Sequence, residues 1–211
     1  MSRKDAFPGA DGSTIIEPTS ESNNANTIPI YGADGNALVE GTTLGLRLVN
    51  ISTSGVLSGN TSQLYATKNP LTFICNNTTL GDWYTTNEIY QKHTLWGDGE
   101  DKSEFDPCPK RWRVPPDASI TFGDFAAASI VSGSGYTINA GRIYNNMAWF
   151  PVVGRRRYIS GELYAVGNYG YCWSTSVRGT YAKALSFHMS GSFFGSDNGR
   201  AFGFSVRCVQ E

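Results

Sequence analysis

The sequence predicts an α+β fold, built of short strands and irregular loops and preceded by a small β-rich segment, on three observations. The 211 residues include 24 Gly, 11 Tyr, 11 Phe and 5 Trp. That is the make-up of a loop-rich globule with an aromatic core, not of a helical bundle, a coiled coil or a disordered tail. Apolar residues also fall in short runs between Gly, Asp and Asn turns. Composition changes along the chain as well, since of 27 aromatic residues only Phe7 and Tyr31 lie in the first 60 positions. One ordinary domain fits this length, divided into an attachment or oligomerisation segment at 1–65 and a packed domain at 66–211.

In the first segment, a near-repeat of PGADGSTI at 8–15 and YGADGNAL at 31–38 sets an Asp-Gly turn between short extended runs. Thr42–Ile51 alternates well enough for a strand, although the whole segment also reads as a partly disordered linker. In the packed domain, strands are predicted at Leu71–Cys75, Met147–Val153, Ala182–Met189 and Gly203–Val209. Helix is suggested only near Phe122–Ile130 and around Asn87–Gln91. Trp112 and Val114 alternate with Arg113 as on a half-buried strand, which Pro115-Pro116 ends. Phe202, Phe204, Val206 and Cys208 alternate with their neighbours in the same way. Leu185, Phe187 and Met189 share the core parity of their run, leaving Ser186, His188 and Ser190 on the surface. Phe193 and Phe194 are adjacent and follow a turn, so at least one is an exposed anchor.

Charge excludes several classes of partner. With 17 basic against 18 acidic residues, no general attraction to nucleic acid or lipid is encoded, and no apolar run is long enough for membrane insertion. The start MSRKDAFPGADGSTI lacks an apolar core and is not a secretory signal as it stands.

The inventory for catalysis is thin. His93 and His188 are the only histidines, and no His or Cys spacing suits zinc, so neither metal nor cofactor is expected. Cys172 and His188 could be written as a thiol–imidazole pair, but a cysteine without catalytic role is the expectation. The acidic stretch Asp98–Asp106 lacks the ligand alternation of an EF-hand and reads as a solvated loop, with a structural cation site as the alternative. Arg155-Arg156-Arg157 reads as surface charge or as partners for nearby acids.

The last third has the vocabulary of a binding face. Residues 155–211 hold eight Gly, eight Ser, five Tyr and five Phe, with net charge +4 against −5 for the rest. Tyr supplies rigid amphipathic area, Ser and Gly adapt, and Arg anchors. The candidate ligand-binding residues begin with Arg156, Tyr158, Tyr164, Asn168, Tyr169, Tyr171 and Cys172. Ser174, Ser176, Arg178, Thr180 and Tyr181 continue the set, and His188, Ser190, Ser192, Phe193 and Phe194 complete it.

Three blocks in order carry a resemblance. They are Asp82-Trp83-Tyr84 with Leu95-Trp96, then Phe105-Asp-Pro-Cys-Pro-Lys-Arg-Trp-Arg-Val-Pro115, then Cys172-Trp-Ser-Thr-Ser176, before a closing Gly203-Phe-Ser-Val-Arg-Cys-Val209. Over roughly 70–211 the chain resembles the Fibrobacter-type major paralogous domain. That domain is similar to the C-type lectin-like fold, in the branch shared with formylglycine-generating enzymes and with retroelement-diversified variable proteins of phages and gut bacteria. Arg111 stands where that family usually has Gly, and Cys172 where it has an aromatic. The calcium-lectin tripeptides are absent, so calcium-dependent sugar binding is not implied.

The resemblance implies a Cys108–Cys208 disulfide, since both cysteines sit in matching blocks, and hence an oxidising setting. Cys75 and Cys172 are then a second pair or, preferably, free thiols. The expected function is a non-enzymatic display protein at a phage tail tip, binding a bacterial surface protein or glycan through its C-terminal face. A bacterial cell-surface or fimbrial-tip adhesin is the alternative, and an enzyme on the formylglycine-generating scaffold the third reading. The missing signal favours the virion, and analogy with fibre proteins makes a homo-oligomer, a trimer, the expected assembly.

Overall fold

The computed structural model describes residues 7, 28–37, 39–40, 43–44, 47–97, 102–117, 121–122, 125, 128–131, 140–188 and 190–211. Over these the protein is mostly β-sheet with few helices. The first copy of the near-repeat and residues 98–101 of the acidic stretch lie outside the described residues. The second copy closes as expected: Tyr31 pairs with Ala37 around a turn in which Asp34 accepts the Asn36 N–H and Gly35 has φ +77°.

Strands β1 (Val39–Glu40) and β2 (Thr43–Leu44) form a minimal hairpin, and β3 (Arg47–Asn50) runs parallel to β4 (Thr72–Cys75). Helix α1 (Gln63–Lys68) connects them. The division expected at residue 65 therefore falls inside α1, and the β3–β4 pairing crosses it. Val49, Ile51 and Val56 share one cluster with Ile74, Trp83 and Ala201, so residues from 47 onward help build the same core. Ser62 ties the two sides further, donating its hydroxyl to the Trp83 carbonyl at 2.6 Å and its N–H to the Tyr84 carbonyl at 2.8 Å.

The larger core lies between two antiparallel meanders. One is β6 (Ser129–Val131), β7 (Gly141–Tyr144) and β8 (Ala148–Pro151). The other is β11 (Tyr169–Arg178), β12 (Tyr181–His188) and β13 (Gly191–Asn198). Leu185 and Phe187, buried as their parity predicts, pack with Cys172 against Phe122, Phe125 and Phe150. Phe125 sits 4.9 Å from both Phe150 and Phe187, in edge or tilted contacts. Gly170 faces Phe187 across the strands, and a Cβ there would fall 2.1 Å from its ring, so β11 must carry glycine to admit this aromatic. Buried Arg142 pins the β12–β13 turn to this core, donating to the carbonyls of His188 and Gly191.

Three expectations change. In place of a helix over Phe122–Ile130, Phe125 and Ala128 each bond back three residues and β6 starts at Ser129. Phe122, Phe125 and Ala128 all belong to the core cluster. Near Asn87 a single 3-10 turn forms over Glu88–Tyr90, capped by the Asn87 side chain on the Ile89 N–H. Ser186 is buried and not on the surface, because β12 is the central strand of its meander. Met189, of the same run, lies outside the described residues.

The block around Cys108 closes the domain. Short strands β5 (Trp112–Arg113) and β14 (Val209–Gln210) pair, and the Cys108–Cys208 disulfide joins the same two segments with Cα atoms 5.8 Å apart. Fully buried Asp106 accepts the Cys108 and Val114 N–H groups, and Lys102 donates to the carbonyls of Cys108, Pro109 and Trp112. This leaves Trp112 exposed and Arg113 buried, against expectation, while Val114 is buried as expected. The ladder lasts only two residues, too short to carry strand alternation through to Val114.

Arg111 has φ +68°, a left-handed turn that glycine adopts freely. Left-handed backbone costs a non-glycine residue about 1–2 kcal/mol, of which glycine's extra unfolded-state entropy returns part. Arg111→Gly is therefore expected to stabilise by roughly 0.5–1 kcal/mol, read as a higher denaturant midpoint with unchanged slope. Replacing Cys108 and Cys208 together by Ser is expected to cost about 4–5 kcal/mol for so long a closed loop.

Candidate functional site

The face of β11 turned away from the core carries Tyr169, Tyr171 and Trp173, because side chains alternate along a strand. The C-terminal segment joins this sheet beside β11: Cys172 pairs with Ser205 in parallel, and Gly203 pairs with Arg156 of β9 (Arg155–Arg156). β9 pairs in turn with β10 (Leu163–Tyr164), so one ribbon runs from β10 through the C-terminal segment to β13. Small Gly203 and Ser205 alternate with Phe202 and Phe204, which lets both large rings share the outer face.

The rings there form a continuous chain. Phe204 stacks on Trp173 at 4.2 Å and on Tyr171 at 4.6 Å, and Phe202 lies 5.2 Å from Phe204. Tyr171 continues to Tyr169 at 5.9 Å, then to His188 at 5.1 Å and to Phe193 at 5.8 Å. Phe193 is 56% exposed, so the chain ends in open solvent. At its other end it borders a cavity of about 560 Å³ lined by Trp173, Phe202 and Phe204 together with Arg155, Arg200 and Lys92.

Arg155 is the hub. Its guanidinium stands 4.8 Å over Tyr171 and 5.0 Å over both Tyr164 and Phe202, and donates to the Tyr171 hydroxyl at 2.9 Å. Its neighbours behave differently. Arg156, expected at a binding surface, is buried, donates to the Gly161 carbonyl at 2.7 Å, and has its pKa lowered to about 10 by burial. Arg157 lies 5.1 Å over the Tyr164 ring. The three arginines are thus packed against rings and carbonyls, not spread as surface charge.

Of the other residues expected at the site, Tyr169, His188, Ser190 and Phe193 gather at the open end, where Ser190 bonds the His188 Nδ1 at 2.9 Å. Ser192 stands beside them, paired with Phe187 in the ladder. Phe194 is on β13, but its side chain lies outside the described residues. Arg178, Thr180 and Tyr181 sit at the far turn of the meander, where Arg178 is neutralised by Asp197 at 2.6 Å. Tyr158 packs edge-on against Phe202 at 4.7 Å, Tyr164 lies under Arg155, and Asn168 precedes β11 in a turn.

Several expected contacts are interior. Tyr171 is buried beneath its neighbours, and Ser174 is buried with its hydroxyl on the Lys183 carbonyl. Ser176 bonds the Pro116 carbonyl. Cys172 belongs to the core, and burial pushes its thiol up to about 12. It faces Leu185 while His188 faces Tyr169, so no thiol–imidazole pair exists. Cys75 and Cys172 are both free and buried.

Arg155, Phe202, Phe204, Arg200 and Lys92 did not figure among the expected site residues. The available signal was the Phe-Gly-Phe-Ser alternation, which marks a strand but does not say which face is covered. Among the described residues no group of three or more His, Cys, Asp or Glu side chains is placed to hold a metal, and no helix is long and apolar enough to cross a membrane. Comparison of the chain with protein-family models, with characterised proteins and with solved structures finds no match.

With the Cys172 pKa near 12 and Cys75 also raised by burial, neither thiolate is populated in mildly alkaline buffer. An aromatic disulfide reagent is expected to leave both thiols unmodified in the native protein and to titrate both in denaturant.

Proposed function

We propose that this protein is a non-enzymatic ligand-binding display protein and that the aromatic face of the β9–β13 ribbon is its binding surface. The observation that carries the reading is the unbroken chain of rings from the solvent-exposed Phe193 to the Phe204–Trp173 stack at the cavity. Rigid aromatic side chains on a strand framework present contact area at low entropic cost, and a concave site beside them fits a small polar ligand or a loop. The disulfide suits an oxidising setting outside the cytoplasm.

The motif resemblance supports a C-type lectin-like domain of the Fibrobacter-type major paralogous kind, diversified by a retroelement and carried at a phage tail tip. The partner on this reading is a bacterial surface protein or glycan, and the assembly a trimer. A gene neighbourhood with a reverse transcriptase and an Asn-rich template copy of the 3′ region supports the diversified origin, and absence of both removes it.

The binding reading is tested with the full chain against a panel of bacterial surface proteins and glycans, beside a Tyr169→Ala/Phe193→Ala variant. Loss of binding by about tenfold or more, with thermal unfolding preserved, is expected from removing two aromatic contacts at the open end of the face. Wild-type binding that the folded variant retains in full places the surface elsewhere.

A further inference from the structure

We infer that the cavity at the inner end of the aromatic face takes an anionic sugar ring, its negative group held by Arg155 and Lys92 and its apolar face resting on Phe202 and Phe204. This rests on the reading of that face as a binding surface and names the chemistry of its ligand.

The first support is charge. Lys92, His93, Arg155, Arg156 and Arg200 all line the cavity, and among the described residues that line it none is Asp or Glu. Among the described residues, two of these cations have no acidic partner. Arg155 meets only rings and the Tyr171 hydroxyl, and its Nε–H is buried without an acceptor. Lys92 is exposed at the rim and bonds nothing among the described residues. The contrast is with Arg178, equally basic but paired with Asp197 at 2.6 Å. Arg200 has Asp82 at 4.0 Å behind it and contacts the His93 ring at 2.8 Å, so it is already engaged and holds the rim in place. A concave wall bearing two unneutralised cations, partly shielded from water, raises the local concentration of anions.

The second support is shape and polarity. At about 560 Å³ the cavity is within the range of small-molecule sites. Phe202 and Phe204 supply apolar lining, whereas the Ser205 hydroxyl, also in the lining, makes no hydrogen bond within the described residues. Flat rings beside a free hydroxyl and a cation match a pyranose, which has one apolar face and a polar rim, better than a planar aromatic acid. A purely apolar ligand leaves Arg155 and Lys92 uncompensated, and a polyanion without a ring leaves the Phe faces unused.

The test uses a neutral sugar and two acidic derivatives of it: lactose, sialyllactose and sulfated lactose, titrated into the full chain by calorimetry. The inference expects at least one acidic sugar to bind about tenfold tighter than lactose, with affinity falling as salt rises. Preference between the two separates a carboxylate from a sulfate ligand. Lys92→Gln, at an exposed position, is expected to remove most of that preference. Equal affinity for all three sugars overturns the anionic assignment and leaves the binding face standing, as does a preference that Lys92→Gln does not reduce. No binding of any of the three also overturns it, whereas the wider reading is decided separately by the panel and the Tyr169→Ala/Phe193→Ala variant.

Discussion

The structure turns on β11 having to bury both of its faces differently. On one side Gly170 and Cys172 are small enough for Phe187 and Leu185 to reach the Phe125–Phe150 cluster. On the other, Tyr169, Tyr171 and Trp173 are too large to be left bare, and they are covered only where Phe204 comes alongside. A strand of ten residues therefore separates a closed aromatic core from a half-open aromatic face.

Cations do the work at the joints that short strands cannot. Several ladders here are two residues long and supply few hydrogen bonds of their own. Lys102 gathers three carbonyls around the Cys108 turn, Arg142 takes those at the β12–β13 turn, and Arg156 takes that of Gly161. One guanidinium or ammonium can satisfy several carbonyls at once. The charge sparsity of the sequence thus conceals a structural use of its basic residues, which explains why the Arg155–Arg157 run is not a solvated patch.

Legibility in the sequence followed the length of each regular element. In β12, eight residues long, parity alone placed Leu185 and Phe187 in the core. Parity failed at Ser186 because period-two alternation reports which residues share a face, not whether a second layer covers that face. At β5 two residues are too few for alternation to mean anything, so Trp112 came out exposed. The Cys108–Cys208 pairing had no signal in spacing and was visible only through the motif blocks. Of the site, Tyr169, His188 and Phe193 were legible as surface aromatics, whereas Arg155 and Phe204 became visible only once residues distant in sequence were brought beside β11.

The two ends of the aromatic face differ in how freely they can vary. Phe193 projects into solvent and Ser190 is exposed, so their replacement removes little that the core depends on. Arg155 and Phe204 contact several rings each, and Tyr171 joins them through its hydroxyl, so a change in one is felt by the others. A surface built this way can retune its outer rim for new partners while the cavity end keeps its chemistry. Variation concentrated at Phe193, Ser190 and Tyr169, with Arg155 and Phe204 held constant, is the pattern such an arrangement permits. The reverse pattern would cost the sheet its edge, since the segment carrying Phe204 is joined to β11 through only a short stretch at Ser205.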